Sequence, residues 1–277
     1  MMKQILSCPC CGSALLRNEK QYACENGHSF DIAKQNYVNL LLGRNAATHG
    51  DNALMINART RFLSAGYYAP LAEAIFDAVT RYAKEGCALL DVGCGEGYYT
   101  EWMAKALNEK NGEVYAFDIS KDAVKSTARR HMTATLFAAS AYELPVLEGS
   151  VDLATLFFSP FCREELLRVL KAGGFLLMAY PGEKHLWGLK RALYDTPYLN
   201  SPEDTKIEGF SLLEKIDISK EIFLPDQEAI ADLFSMTPYY YKTGEKDKQK
   251  LASLSSLTTE IEFHLCVYRK NYSTKAI

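Results

Sequence analysis

The chain has 277 residues, 48% of them hydrophobic, and a formal net charge of −3. That length supports one large domain or two modest ones around a sizeable core. No apolar run approaches the ~18 residues that a membrane span needs, and the near-neutral balance does not advertise nucleic-acid binding. The charge is uneven, however: residues 1–66 carry seven Lys/Arg against four Asp/Glu, or +3, which leaves −6 for the remainder. A basic front of that size is compatible with an RNA contact. Four of the eight cysteines fall within the first 24 residues. Met1 to Ser7 has no signal-peptide apolar core. The expected compartment is therefore the cytoplasm, and the expected role of the thiols is metal binding rather than disulfide formation.

Cys8-Pro9-Cys10-Cys11-Gly12 is a turn with thiols at its corners, and Cys24-Glu25-Asn26-Gly27-His28 is a second turn with a thiol and an imidazole. Cys8, Cys11, Cys24 and His28 make a Cys₃His set suited to one tetrahedral zinc ion. Cys10 competes with Cys11, and the two-residue spacer favours Cys11. The alternative is free buried thiols beside a surface histidine. With four protein ligands the site is closed, hence structural, and the metal folds a segment too small to fold alone. Ala14–Leu16 and Gln21–Ala23 read as two short strands of a ribbon hairpin between the knuckles. The ribbon is expected to extend to residue 42.

Residues 43–66 read as linker and approach. Gly43 to Asn52 is polar and aperiodic, a loop. Asn52 can cap a helix over 53–63, on which Arg59 and Arg61 either meet RNA phosphate or form a solvated face. From residue 67 to the C-terminus a single larger domain is expected, opening with a helix that restarts at Pro70 and runs to about Tyr82.

Cys87 to Val92 is an apolar run that reads as a buried parallel strand. It ends in Asp91-Val92-Gly93-Cys94-Gly95-Glu96-Gly97-Tyr98. The three alternating glycines let the backbone pass close to a ligand, and a helix follows. A second apolar run over 113–117 ends in Asp118, an acid placed to accept two ribose hydroxyls. The third glycine comes one residue too early for a dinucleotide fingerprint, and Asp91 would repel a pyrophosphate. The pattern instead resembles the first motif of the class I S-adenosylmethionine methyltransferases; a Gly-rich turn without a ligand is the bland alternative. Strand and helix signals then alternate: helix 98–108, helix 121–131, strand 134–138, strand 151–158, helix 162–170, strand 174–180. That predicts an α/β fold, a Rossmann-like parallel sheet with its ligands at the carboxyl ends of the strands. Asp91, which suits a cationic or amino-bearing ligand, and Tyr98 are expected on the cofactor, with Gly93, Gly95 and Gly97 around its methionine part, Asp118 on the ribose and Ile119 on the adenine. The loop from Ser140 to Pro145 resembles the one that meets the adenine edge in related enzymes. As an alternative, Asp118 caps a helix.

The Cys-Pro-x-Cys ribbon, Gly27-His28-Ser29-Phe30-Asp31-Ile32-Ala33-Lys34, Tyr37-Val38-Asn39-Leu40-Leu41 and Asp91-Val92-Gly93-Cys94-Gly95-Glu96-Gly97-Tyr98-Tyr99 together resemble the 23S rRNA (guanine-N1)-methyltransferases, along the whole length. The resemblance implies methylation of a guanine in a hairpin loop of 23S rRNA, with some members conferring macrolide-type resistance. It implies a ribbon that grips the RNA hairpin, and a homodimer whose two ribbons form a cleft. It also implies that Tyr68, His185 and Leu186 lie on the cofactor. Phe158-Ser159-Pro160-Phe161-Cys162 occupies the place that faces an extruded base; the family has Ala-Pro-Cys there, so the pocket differs in detail. Cys162 reads as a small apolar residue or, less economically, a nucleophile. His185 reads otherwise as an exposed residue opening a helix. No residue is singled out as the general base. A small-molecule methyltransferase with the ribbon as a lid, and an RNA-binding module on an inactive Rossmann domain, are the competing readings. The C-terminal third is expected to supply a strand over 210–223, a helix over 226–234, an aromatic segment over 236–241 that is core or pocket wall, and an antiparallel strand over 258–269.

Overall fold

A computed structural model describes residues 3–43 and 52–272. The loop expected over 43–52 lies, apart from its two ends, outside them. A three-stranded antiparallel ribbon, β1 (Leu16–Arg17), β2 (Gln21–Ala23) and β3 (Ser29–Asp31), opens the chain, followed by β4 (Tyr37–Asn39). Next come α1 (Ala53–Ser64) and α2 (Ala69–Tyr82). The alternating core is β5 (Ala88–Val92), α3 (Tyr98–Asn108), β6 (Glu113–Asp118), α4 (Lys121–Ala128), β7 (Thr135–Ala138), β8 (Val151–Phe157), α5 (Arg163–Val169) and β9 (Leu170–Pro181). The chain closes with α6 (Trp187–Leu193), β10 (Phe210–Leu224), α7 (Gln227–Ser235), α8 (Tyr239–Lys242), α9 (Glu245–Ala252) and β11 (Leu257–Lys270).

One eight-stranded sheet runs in the order β10-β11-β9-β8-β5-β6-β7-β4. All neighbouring pairs from β9 to β4 are parallel, and β11 enters antiparallel between β9 and β10. The order reverses at β5, so a crevice opens at the carboxyl ends of β5 and β8. Strand β5 is buried on both faces, as its unbroken apolar run predicts. On β11, Ile261, Phe263, Leu265 and Val267 all point into the core on one face, as their alternation predicts.

Three sequence-based expectations change. Strand β4, placed by sequence in the ribbon unit of residues 1–42, pairs with β7 as the outermost strand of the large sheet. The helix expected over 121–131 stops at Ala128, because Arg130 turns back onto Glu96 and Glu101 and His131 takes a left-handed φ of 53°. The aromatic segment 236–241 is core only in part: Met236 and Tyr239 pack against the apolar layer, whereas Tyr240 and Tyr241, on the one-turn helix α8, are exposed.

The two faces of the sheet are covered differently. Helices α2, α3, α6 and α7 contribute to one apolar layer. On the other face the connection from β7 to β8, residues 139–150, contains no helix. Parallel strands ordinarily need a packed crossover, and here the chain's own N-terminus supplies it. Ser7 N donates to Pro145 O (2.9 Å), Leu147 N donates to Ile5 O (2.7 Å), and Leu6 bridges Val146. Ile5, Leu6, Leu15 and Tyr22 join Phe117, Phe137 and Val146 in one buried cluster. The ribbon is thus part of the packing of the sheet.

Candidate active site and metal centre

The ribbon brings Cys8, Cys11, Cys24 and His28 together, with all ligand atoms within 4.8 Å of one another. Gly12 (φ 76°) and Gly27 (φ 83°) make the left-handed turns that curl each knuckle. Zn–S bonds of ≈ 2.3 Å and Zn–N bonds of ≈ 2.0–2.1 Å imply tetrahedral S···S edges of about 3.8 Å and S···N edges of about 3.6 Å. Cys11 Sγ and Cys24 Sγ are 3.7 Å apart, and His28 Nδ1 is 3.6 Å from Cys8 Sγ and 3.4 Å from Cys24 Sγ. The donor set fits one zinc ion, with His28 binding through Nδ1. Cys10 is exposed and outside the cluster. Asn26 Nδ2 donates to Cys11 Sγ at 3.3 Å, an outer partner of the kind that orients metal ligands.

At the switch point, Gly93, Gly95 and Gly97 all have positive φ (78°, 57° and 89°). Two of them also serve close packing. A Cβ on Gly93 would lie 2.3 Å from Ser159 Oγ, and one on Gly97 would lie 2.7 Å from Thr127 Cγ2. The turn is therefore clamped between the β8 loop and α4. Asp118 Oδ2 accepts from Gly95 N (3.0 Å) and its Oδ1 from Ser120 N (2.8 Å). The cap of α4 is Ser120, whose Oγ accepts from Ala123 N, so Asp118 is not spent on capping. It is half-buried at the rim with Ile119 behind it. Ser140 sits one strand over, past the end of β7, where its Oγ accepts from Tyr142 N.

Asp91 is buried. Its oxygens accept from Thr100 Oγ1 (2.6 Å) and Thr155 Oγ1 (2.9 Å), which ties the turn to β8. Burial pushes its carboxyl up to about 6, against the lowering effect of the two threonine hydroxyls. Glu96, also buried, pairs with Arg130 at 2.5 Å, and Tyr98 N donates to it at 3.1 Å. The Arg130 guanidinium in turn lies 5.5 Å from the centre of the Tyr98 ring.

On the other side of the crevice Tyr68 caps α2 and is buried against Phe62, Phe263 and His185. His185 is buried, not an exposed helix start. The helix begins at Trp187, and Leu186 is its left-handed N-cap (φ 59°). Glu262 N donates to His185 Nδ1 at 3.2 Å, so Nε2 carries the proton and faces the Tyr68 hydroxyl at 3.4 Å. Burial, reinforced by the Lys190 ammonium, holds the imidazole down to about 3, so it is neutral at physiological pH. Phe158, directly after β8, is left-handed too (φ 58°). Bulky residues adopt that conformation rarely, and two of them lie in the loops after the adjacent strands β8 and β9, the kind of local strain that clusters at ligand sites. Phe158 is 53% exposed and Phe161 40%, whereas Cys162 is buried and its thiol is pushed above the ordinary range by that burial. A buried thiol so raised is a packing residue, not a nucleophile.

A family model described as "RlmA, N-terminal", a zinc ribbon, matches residues 6–43, and a methyltransferase-domain model matches residues 89–174. The chain is 37% identical over 192 residues to a 23S rRNA (guanine(748)-N(1))-methyltransferase of Streptomyces fradiae, covering 68% of this chain and 67% of that one. The chain belongs to the 23S rRNA (guanine-N1)-methyltransferase family. A second relative, the putative 23S rRNA (guanine-N(1)-)-methyltransferase YxjB of Bacillus subtilis, is 27% identical over 282 residues, covering 95% of this chain and 96% of that one. Among solved structures, the YcgJ protein of Bacillus subtilis is 14% identical at a TM-score of 0.48, over 73% of this chain and 99% of that chain.

For this family member the structure gathers the sequence-predicted residues along one edge of the sheet. Ser140 follows β7, Asp118 and Ile119 end β6, the glycine turn follows β5, and His185 and Leu186 follow β9, with Tyr68 packed on His185. Sequence reasoning missed Thr100 and Thr155 as partners of Asp91, the Glu96–Arg130 pair, and Phe263 as the floor under Tyr68 and His185. The Asp91–Thr100 spacing was visible; the other partners come from distant segments and left no local signal.

Proposed function

We propose that the protein methylates N1 of a guanine in a hairpin loop of 23S rRNA, with S-adenosylmethionine as the methyl donor. One observation carries the reading: a Cys₃His cluster with zinc-like edges sits on the same chain as an intact acid–glycine turn facing Asp118, in a member of this family. Bound S-adenosylmethionine supplies an electrophilic methyl group on a sulfonium. The chain's residues bind and aim. Asp118 accepts the ribose hydroxyls, Ile119 packs on the adenine and Ser140 meets its edge. Gly93, Gly95 and Gly97 give the methionine part a path, and Asp91 and Tyr98 hold that turn in shape. Tyr68, His185 and Leu186 close the pocket from the far side. His185 is not the base that takes the guanine proton, because Nδ1 already accepts from Glu262 N and Nε2 faces Tyr68.

Residues 1–42, apart from β4 in the large sheet, act as the RNA-gripping ribbon, 43–66 as the approach and 67–277 as the catalytic domain. Docking of the ribbon on the β7–β8 connection fixes its place relative to the crevice. The exposed rings of Phe158 and Phe161 at the rim suit an extruded base, since aromatic faces stack bases from unpaired loops. A second copy completes a cleft between two ribbons, and the protein works in the cytoplasm. No helix among the described residues is long and apolar enough to cross a membrane. Incubation with tritiated S-adenosylmethionine, protein-free 23S rRNA and, in parallel, a small-metabolite pool tests the reading. Label in rRNA supports it; label in a metabolite alone replaces it with a small-molecule methyltransferase whose ribbon is a lid. Absence of cofactor binding would leave an RNA-binding module.

A further inference from the structure

Lys190, in the middle of α6, is 0% exposed. Its ammonium donates to Tyr198 O (3.0 Å) and Asn200 Oδ1 (2.6 Å), and it lies 4.5 Å and 5.4 Å from the ring centres of Tyr198 and Tyr239. All of these partners are neutral, and burial lowers the pKa of the amine. A buried charge is costly unless it is paired and hydrogen-bonded, so a lysine kept in such a place calls for a functional explanation.

Asn200 supplies one. Its Nδ2 donates to Gly182 O (2.8 Å) and His185 O (3.4 Å), and its backbone N–H donates to Glu183 O (2.9 Å). One residue thus holds three carbonyls of the loop after β9. That loop runs into the left-handed Leu186 (φ 59°), a conformation that persists only where surrounding contacts impose it. The ammonium decides which way the Asn200 amide faces: with Oδ1 on the cation, Nδ2 must face the carbonyls. The Tyr239 hydroxyl, 3.4 Å from Oδ1, reinforces that orientation.

We propose that Lys190, acting through Asn200, is a positioning residue for S-adenosylmethionine: it holds the 182–186 loop in the shape that presents His185 and Leu186 to the cofactor. The inference rests on the function proposed above, which sets those two residues on the cofactor. Lys190 itself, having no exposed surface, acts only at one remove.

The test is calorimetric titration of S-adenosylhomocysteine into the zinc-loaded full chain, wild type against Lys190→Met, Asn200→Ala and the double variant. Each single variant is expected to bind about 10-fold more weakly. The double variant should bind no more weakly than the worse single one, because the two residues act as a unit. In turnover on 23S rRNA the KM for S-adenosylmethionine should rise by the same factor while kcat at saturating cofactor is unchanged. Lys270→Met removes a lysine from Leu170 O (2.7 Å) at the opposite end of β9; it is the control for lost stability and should bind as the wild type does. Wild-type affinity in either single variant overturns the proposal. So does a double variant whose loss is the product of the two single losses, or an equal loss in Lys270→Met. Should Lys190→Met not fold, Asn200→Ala decides alone. If the wild type itself binds no S-adenosylhomocysteine, the functional reading fails and takes this inference with it.

Discussion

The Tyr68 hydroxyl lies 3.4 Å from His185 Nε2, and both side chains are buried. The pair joins the start of α2 to the loop after β9, two segments 117 residues apart. Burial, reinforced by the Lys190 ammonium, holds His185 at about 3 in the fold, below its ordinary 6.5. Between those values an unfolded chain takes up a proton that the native one refuses. His185 therefore favours the fold above about pH 6.5, and that contribution is lost as pH falls, by at most about 1.4 kcal/mol per pH unit. Asp91, raised from 3.8 to about 6, opposes it, gaining stability as pH falls through that window. Urea unfolding of wild type and His185→Gln at pH 7.5, 5.5 and 4.5 separates the two. The wild type should lose more stability than the variant on acidification; equal losses would mean that His185 is not neutral in the fold.

Zinc is expected to hold more than the ribbon, because residues 5–7 pair with the β7–β8 connection and Leu6, Leu15 and Tyr22 share a core with Phe117 and Phe137. Cys24→Ser, or chelation, should lower the stability of the whole chain by about 3 kcal/mol or more, on the order of 10 °C in melting temperature. Cys10→Ser should keep one zinc per chain by atomic absorption and melt as the wild type does. Loss of metal in the Cys10 variant would move the ligand assignment from Cys11.

Asp118→Ala should weaken S-adenosylhomocysteine binding by about 10- to 100-fold, the loss of charge-assisted hydrogen bonds to two hydroxyls. Because Asp118 also accepts from Gly95 N and Ser120 N, Asp118→Asn, which keeps one acceptor oxygen, should fall between the two. Calorimetric titration reads both; an alanine variant that binds normally would remove Asp118 from the cofactor.

Gly97→Ala meets two obstacles, a φ of 89° and Thr127 Cγ2 at 2.7 Å from the new Cβ. The variant should lose about 2–4 kcal/mol. Adding Thr127→Ala should restore the packing part but not the backbone part, so the double variant should be intermediate by chemical denaturation. A single variant as stable as the wild type would contradict the close approach of α4.

What was legible in the sequence was local. The two knuckles, the acid–glycine turn and Asp118 each occupy a few consecutive residues, so their spacing carried the geometry. What was not legible depended on distant pairing. The three residues of β4 are too few to read as a strand despite Tyr37 and Val38, and they join the sheet along the edge that β7 offers. The N-terminal segment replaces a crossover helix that the chain lacks, which no local pattern announces. The tyrosines at 239–241 look like core by composition, yet a one-turn helix cannot bury three consecutive rings: Tyr239 packs inward and Tyr240 and Tyr241 stay exposed. His185 reads as a solvated helix start until Phe263 and Tyr68 are seen to enclose it.

The central claim, that this site methylates guanine N1 of 23S rRNA, is tested most directly by nucleoside mass spectrometry of protein-free 23S rRNA incubated with S-adenosylmethionine and either wild type or Asp118→Ala. The account predicts 1-methylguanosine from the wild type, mapped to one hairpin loop, and little or none from the variant. Methylation at another guanine atom, or none in rRNA while S-adenosylhomocysteine still binds, would contradict it.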